Sequence, residues 1–178
     1  MSGHDEHIVL LIREMVDLEL NAKRFYEHAA KVTHNETGKK MFKRLALEEA
    51  GHIKDVGVIF ASALGGDDWK EILQREVKNH APSKLVAKFE EEVQEWGSEN
   101  KADETEALRM AMDLERRAIK FFEDLSKKYV DNPAARKLAA KLADEEKFHY
   151  DMLQAQHDSV MNVGIWLDEA EFRMDGKF

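Results

Sequence analysis

The sequence predicts an all-α fold, a bundle of four long helices arranged as two antiparallel hairpins and joined by a long, partly helical crossover. Three observations carry that expectation. Only two prolines and nine glycines interrupt 178 residues. Apolar residues recur at the three-and-four spacing of a helix face, with none of the alternation of a half-buried strand. The helical hairpin is also written twice: "ELNAKRFYE" at 19–27 aligns with "ERRAIKFFE" at 115–123 at an offset of 96, and "LALEEAGH" at 45–52 aligns with "LADEEKFH" at 142–149 at an offset of 97. The difference of one residue falls in the hairpin turn.

The elements follow in order. A first helix from about Asp5 to Lys31 places Ile12, Met15, Val16, Ala22, Tyr26 and Ala29 on one face. After "VTHNETGK", with Thr37 as the expected cap, a second helix runs to about Leu64 and stops at Gly65-Gly66. Residues 65–103 are long for a loop in a compact domain. Trp69, Ile72, Leu73 and Val77 suggest a short helix there, and Leu85, Val86, Phe89, Val93 and Trp96 a second. A third long helix starts near Glu104, where Asp103 and Glu106 resemble a capping box, and reaches about Tyr129. "VDNPAARK" supplies a cap at Asp131 or Asn132 and a proline at the first helical position, and the fourth helix extends to about Ser159. Short turns within each pair and a long crossover between them give two hairpins. Residues 1–159 are expected to form one bundle domain, and 160–178 a tail whose Trp166 and Phe172 pack on the bundle or on a partner subunit.

Composition removes whole classes of function. With 27 basic and 36 acidic residues the net charge is −9, which argues against non-specific binding to nucleic acid or anionic lipid. Cysteine is absent, which excludes disulfides, thiolate metal sites and thiol catalysis within these residues. The opening "MSGHDEHIVLLIREM" lacks the basic region and apolar run of a secretory signal. The longest run low in charge, "VGVIFASALGG", is about half a membrane span. A cytoplasmic protein with no membrane or nucleic-acid partner is the expectation.

The apolar stripes contain an anomaly. Leu45, Ala46, Ile53 and Val56 put Glu49 in the middle of a greasy face, and His52 stands one turn on. Glu146 and His149 repeat the arrangement, and Glu19 and Glu115 sit mid-stripe in the partner helices. Each buried unpaired ion costs about several kcal/mol, against a total stability of about 5–15 kcal/mol, and no lysine or arginine occupies the inward positions. Two divalent cations balance four carboxylates, with neutral imidazoles as further donors. Glu and His at i, i+3 aim at one ion from one helix face. Carboxylate and imidazole without thiolate suit iron or manganese, with zinc a further option.

One Glu from each of two helices and Glu-x-x-His from each of the other two is the ligand set of di-iron carboxylate bundles. The sequence resembles the ferritin-like superfamily, most closely the rubrerythrin-type di-iron proteins, over roughly residues 5–159. The resemblance implies that Glu19 and His52 are terminal ligands of one metal, that Glu115 and His149 serve the other, and that Glu49 and Glu146 bridge. Ligand imidazoles need an acceptor for the second ring N–H. Glu48 and Glu145, each just before a bridging Glu, are the candidates, each for the histidine of the opposite helix. Tyr26, two turns after Glu19, is placed to bond a ligand carboxylate or to pack in the core. Its repeat counterpart is Phe122, so the two metals are expected to have unequal surroundings. His4, His7, His28, His34 and His80 read as surface residues, and His157, on the face of Glu146, as an end-of-bundle residue.

The activity implied by the resemblance is a dinuclear oxidoreductase, with iron the expected metal, reducing hydrogen peroxide or O₂ as a homodimer. Full-length rubrerythrins carry a cysteine-ligated rubredoxin-like domain that delivers electrons, so this cysteine-free sequence is expected to use an external donor. Rubrerythrins also commonly place an extra Glu one turn after the third-helix ligand, where this sequence has Ala118. That departure brings the ligand set close to bacterioferritin, and iron oxidation and storage, or metal binding without turnover, is the alternative expectation.

Overall fold

The computed structural model describes the backbone of residues 3–64, 68–92 and 101–168, and the side chains of 9–60, 69–91 and 104–168. Its described residues form six helices: α1 Gly3–Val32, α2 Glu36–Leu64, α3 Asp68–Asn79, α4 Lys84–Glu92, α5 Lys101–Lys128 and α6 Pro133–Val163. The helices α1 and α2 pair as one hairpin and α5 and α6 as the other, and the hairpins meet through α2 against α6 and α1 against α5. The all-α bundle with a helical crossover is the architecture expected from the apolar periodicity.

The helix ends differ in detail from expectation. Asn35, not Thr37, caps α2: its Oδ1 accepts from the backbone N–H of Thr37 at 2.8 Å and of Gly38 at 3.2 Å. Thr37 lies inside the first turn, where its own N–H is one of the donors that needs a cap. Helix α5 already runs from Lys101, so Asp103 is a helical residue rather than a cap. Asn132 does cap α6, accepting from Ala135 N–H at 3.0 Å with Pro133 as first helical residue. Helix α6 passes Ser159 and continues to Val163 because Gly164, at φ 72°, is the residue that adopts the left-handed turn. The Gly164 N–H donates to the carbonyls of Ser159 and Val160.

The core falls into two apolar clusters. One gathers Phe25, Tyr26, Phe42, Leu45, Leu108 and Leu153, and the other Ile12, Met15, Ile59, Phe60, Phe122 and Leu142. Along each long helix the change from one cluster to the other occurs at the inward carboxylate: Glu19 on α1, Glu49 on α2, Glu115 on α5, Glu146 on α6. Fully burying one such large side chain contributes about 1.5–3 kcal/mol. Apolar layers above and below therefore supply the stability that a polar layer between them consumes.

The crossover lies along α1. Phe89 stacks near Phe25 with ring centroids 4.3 Å apart. His80 corrects the expectation of a surface residue: its side chain is only 8% exposed, with Nε2 3.0 Å from Asp17 Oδ1. Arg24 reaches His80 twice, at 3.2 Å to Nδ1 and 3.1 Å to the carbonyl oxygen. The Asn21 Oδ1 accepts from Ser83 N–H at 2.8 Å, and Arg13 pairs with Glu76 at 3.0 Å. A helix pattern read for the crossover alone does not reveal which neighbour it lies upon. Val93 and Trp96 lie outside the described residues.

After Gly164 the chain folds back over the bundle end. Trp166 is 6% exposed, and its ring meets Phe42 edge-on at 6.0 Å. Its Nε1–H donates to Glu104 at 3.1 Å. Gln156 holds Leu167 by two reciprocal bonds, 2.8 Å to its carbonyl and 2.9 Å from its N–H. Close approach needs Gly38, where an added Cβ would stand 2.8 Å from Thr33 Cγ2 and 3.0 Å from the indole. Phe172 lies outside the described residues, as do the side chains of His4 and His7. Among the described residues no helix is long and apolar enough to cross a membrane.

Candidate metal centre

The structure brings Glu19, Glu49, His52, Glu115, Glu146 and His149 together in the polar layer, none more than 6% exposed. The i, i+3 spacing sets His52 Nδ1 3.3 Å from Glu49 Oε2, and His149 Nδ1 3.0 Å from Glu146 Oε2. Each of these two carboxylates also faces the histidine of the other hairpin. Glu146 Oε1 is 2.8 Å from His52 Nδ1, and Glu49 Oε1 is 3.3 Å from His149 Nδ1. Glu19 approaches only His52, at 3.4 Å, and Glu115 only His149, at 3.8 Å. The six residues thus divide into two overlapping groups, Glu19–Glu49–His52–Glu146 and Glu49–Glu115–Glu146–His149. Within each group the donor atoms lie within 4.8 Å of one another.

The outer ring nitrogens turn away from this layer. His149 Nε2 is 3.0 Å from Glu48 Oε2, and His52 Nε2 is 3.6 Å from Glu145 Oε2, in each case across the α2–α6 contact. A cation stands four residues before each carboxylate: Arg44 bonds Glu48 at 2.8 Å, and Lys141 bonds Glu145 at 3.3 Å. Sequence reasoning passed over Arg44 and Lys141, although their common offset of 97 and shared i, i+4 spacing were there to be read. The Tyr26 hydroxyl, fully buried, donates to Glu115 Oε1. Glu145 and Phe148 line an open groove of about 1580 Å³ on the α2–α6 flank, which none of the six residues of the layer lines.

Electrostatics show how the layer moderates its own negative charge. Burial, reinforced by the charge of Glu146, pushes the Glu19 and Glu115 carboxyls well above the usual range. Burial acts on Glu49 the same way, but the nearby imidazoles of His149 and His52 outweigh it and hold that carboxyl at about 2. The histidines oppose burial in turn: Glu146 and its neighbouring carboxylates raise His52 and His149 well above the ordinary imidazole range. Protons therefore take the part of cations. They do so incompletely, because Glu19 Oε1 and Oε2, Glu49 Oε1, His52 Nδ1, Glu115 Oε2 and Glu146 Oε1 are buried without a hydrogen bond. His52 Nδ1 and Glu146 Oε1 are close but misaligned, as two ligands of one ion are and a donor and acceptor are not. Buried unbonded polar atoms are costly. Six of them, all oxygen or imidazole nitrogen and converging from four helices, fit divalent cations.

Fold and site together define a helical-bundle protein with an interior carboxylate–histidine centre able to hold metal ions. The family follows from comparison: a model of the Rubrerythrin family matches residues 12–157, and the chain belongs to that family. Among solved structures it is similar to a hypothetical protein, Pfu-1136390-001 from Pyrococcus furiosus, at 22% identity and a TM-score of 0.67. The likeness covers 93% of this chain and 97% of that one, and shows the fold. A comparison with curated proteins found no match.

Proposed function

We propose that this protein is a di-iron oxidoreductase that reduces hydrogen peroxide or O₂ with electrons from an external donor. The observation that carries the reading is the pair of overlapping donor groups sharing Glu49 and Glu146. On this reading Glu19 and His52 would hold one ion, Glu115 and His149 would hold the other, and Glu49 and Glu146 would serve both. Iron supplies the redox chemistry when bound, one electron from each ion. The rest is the work of the chain. The apolar layers exclude water, and Glu48 orients the His149 imidazole by its Nε2 atom. Reduction of one peroxide to two waters takes two electrons and two protons, so turnover requires the external donor. A cytoplasmic homodimer is the assembly and setting proposed with it.

The test is oxidation of the reduced, iron-loaded protein by peroxide, compared with Glu49→Ala. Faster oxidation of the native protein supports the reading, and equal rates refute it. Ala118, buried against Phe122 and its neighbours, favours a second reading in which iron is oxidised and stored. A large hollow assembly in solution would favour storage; a mass near that of a dimer would favour the oxidoreductase.

A further inference from the structure

We propose that Tyr26 makes the two metal positions unequal, so that the Glu115–His149 position fills before the Glu19–His52 position. The inference rests on the dinuclear reading and concerns how this chain distributes affinity within it. The doubled hairpin makes the centre nearly symmetric: Glu19 answers to Glu115, Glu49 to Glu146, His52 to His149 and Glu48 to Glu145. The supporting cations Arg44 and Lys141 obey the same relation, and Ala22 corresponds to Ala118. Tyr26 breaks it, because the repeat places Phe122 opposite, and both rings are fully buried.

The hydroxyl that Phe122 lacks is spent on a ligand. Tyr26 donates to Glu115 Oε1, whereas neither oxygen of Glu19 has a hydrogen bond. A buried donor fixed on one carboxylate oxygen holds that group in one orientation before any metal arrives. It also removes rotamer freedom that would otherwise be lost on binding. The imidazole on that side is the better held as well, at 3.0 Å from Glu48 against 3.6 Å between His52 and Glu145. Both differences favour the same position. Loss of a partner of this kind typically costs about 10–100-fold in metal affinity, which sets the expected separation between the two binding steps.

Cobalt(II) titration of the metal-free protein, followed by calorimetry and by ligand-field absorption, tests this without reference to turnover. The native protein should bind two ions in steps about 10–100-fold apart. Tyr26→Phe should weaken the tight step toward the loose one and leave the loose one in place. Glu19→Ala should keep the tight step, and Glu115→Ala should lose it. Two equal steps in the native protein, an unchanged gap in Tyr26→Phe, or a tight step that survives Glu115→Ala but not Glu19→Ala would each overturn the proposal. Should Tyr26→Phe fail to fold, the two carboxylate variants decide the order on their own. A native protein that binds no cobalt refutes the dinuclear reading and this inference together, whereas two equal steps leave that reading standing.

Discussion

Loading the centre with metal should expel protons, and the structure sets how many. In the metal-free protein Glu19, Glu115, His52 and His149 are all held above their ordinary ranges, the carboxyls by burial and the imidazoles by their carboxylate neighbours, which biases each toward its protonated form. Glu49, held at about 2, is already ionised and releases none. Two divalent ions placed among these groups displace the protons these four hold, up to about four, because a metal ligand is neutral imidazole or carboxylate. The sign follows: lower pH favours the protonated groups and weakens binding. For about four protons, one pH unit changes the product of the two binding constants by about 10⁴, or about 5.4 kcal/mol at 1.36 kcal/mol per proton. Calorimetry of manganese or zinc binding in buffers of different ionisation enthalpy measures the release directly. Binding that frees fewer than about one proton, with affinity flat across neutral pH, would show that these groups do not stand in for cations.

The same shifts predict stability. Groups raised in the folded state stabilise below their unfolded values, 4.5 for Glu19 and Glu115 and 6.5 for the histidines, and lose that contribution as pH rises toward the folded values. Melting of the metal-free protein should therefore fall from mildly acidic to alkaline pH, and metal should flatten the profile; a rise in the metal-free melting temperature over that window would contradict it. Trp166→Ala should cost about 3–5 kcal/mol in urea unfolding, as for other buried tryptophans, and a loss below about 1 kcal/mol would mean that the strap is not part of the cooperative unit. Asn132→Ala should lose about 1 kcal/mol, the worth of an N-cap, seen as a lower denaturation midpoint at unchanged slope. Gly38→Ala should destabilise by about 1–3 kcal/mol through overpacking against Thr33 and Trp166; a neutral result would mean that the indole yields freely.

The centre was legible because its signal is local and doubled. A carboxylate in the middle of an apolar stripe conflicts with the burial that the stripe demands, and the repeat put Glu19, Glu49, Glu115 and Glu146 in equivalent places. Glu48 was legible from position alone, as the residue beside Glu49 whose carboxylate meets the opposite histidine at 3.0 Å, whereas Glu145 stands 3.6 Å from His52. What stayed hidden depends on which surfaces meet. His80 lies in the crossover between two short helices, and nothing local tells that it closes on Asp17 and Arg24, more than fifty residues earlier. The α2 cap, expected at Thr37, lies two residues earlier at Asn35, whose Oδ1 reaches the N–H groups of Thr37 and Gly38. The αL turn that ends α6 belongs to Gly164, five residues past the end expected near Ser159.

Helix α1 is also gripped from outside the bundle. Asp17, Asn21 and Arg24, which bracket Glu19, are the residues that His80 and Ser83 hold. Since one residue of an α-helix is about 100° of turn, a slight roll of α1 would swing Glu19 out of line with His52. The returning chain acts as a splint against that roll. Excising residues 80–83 would remove no group from the interior, and would still release the carboxylate aimed from the far side of the helix.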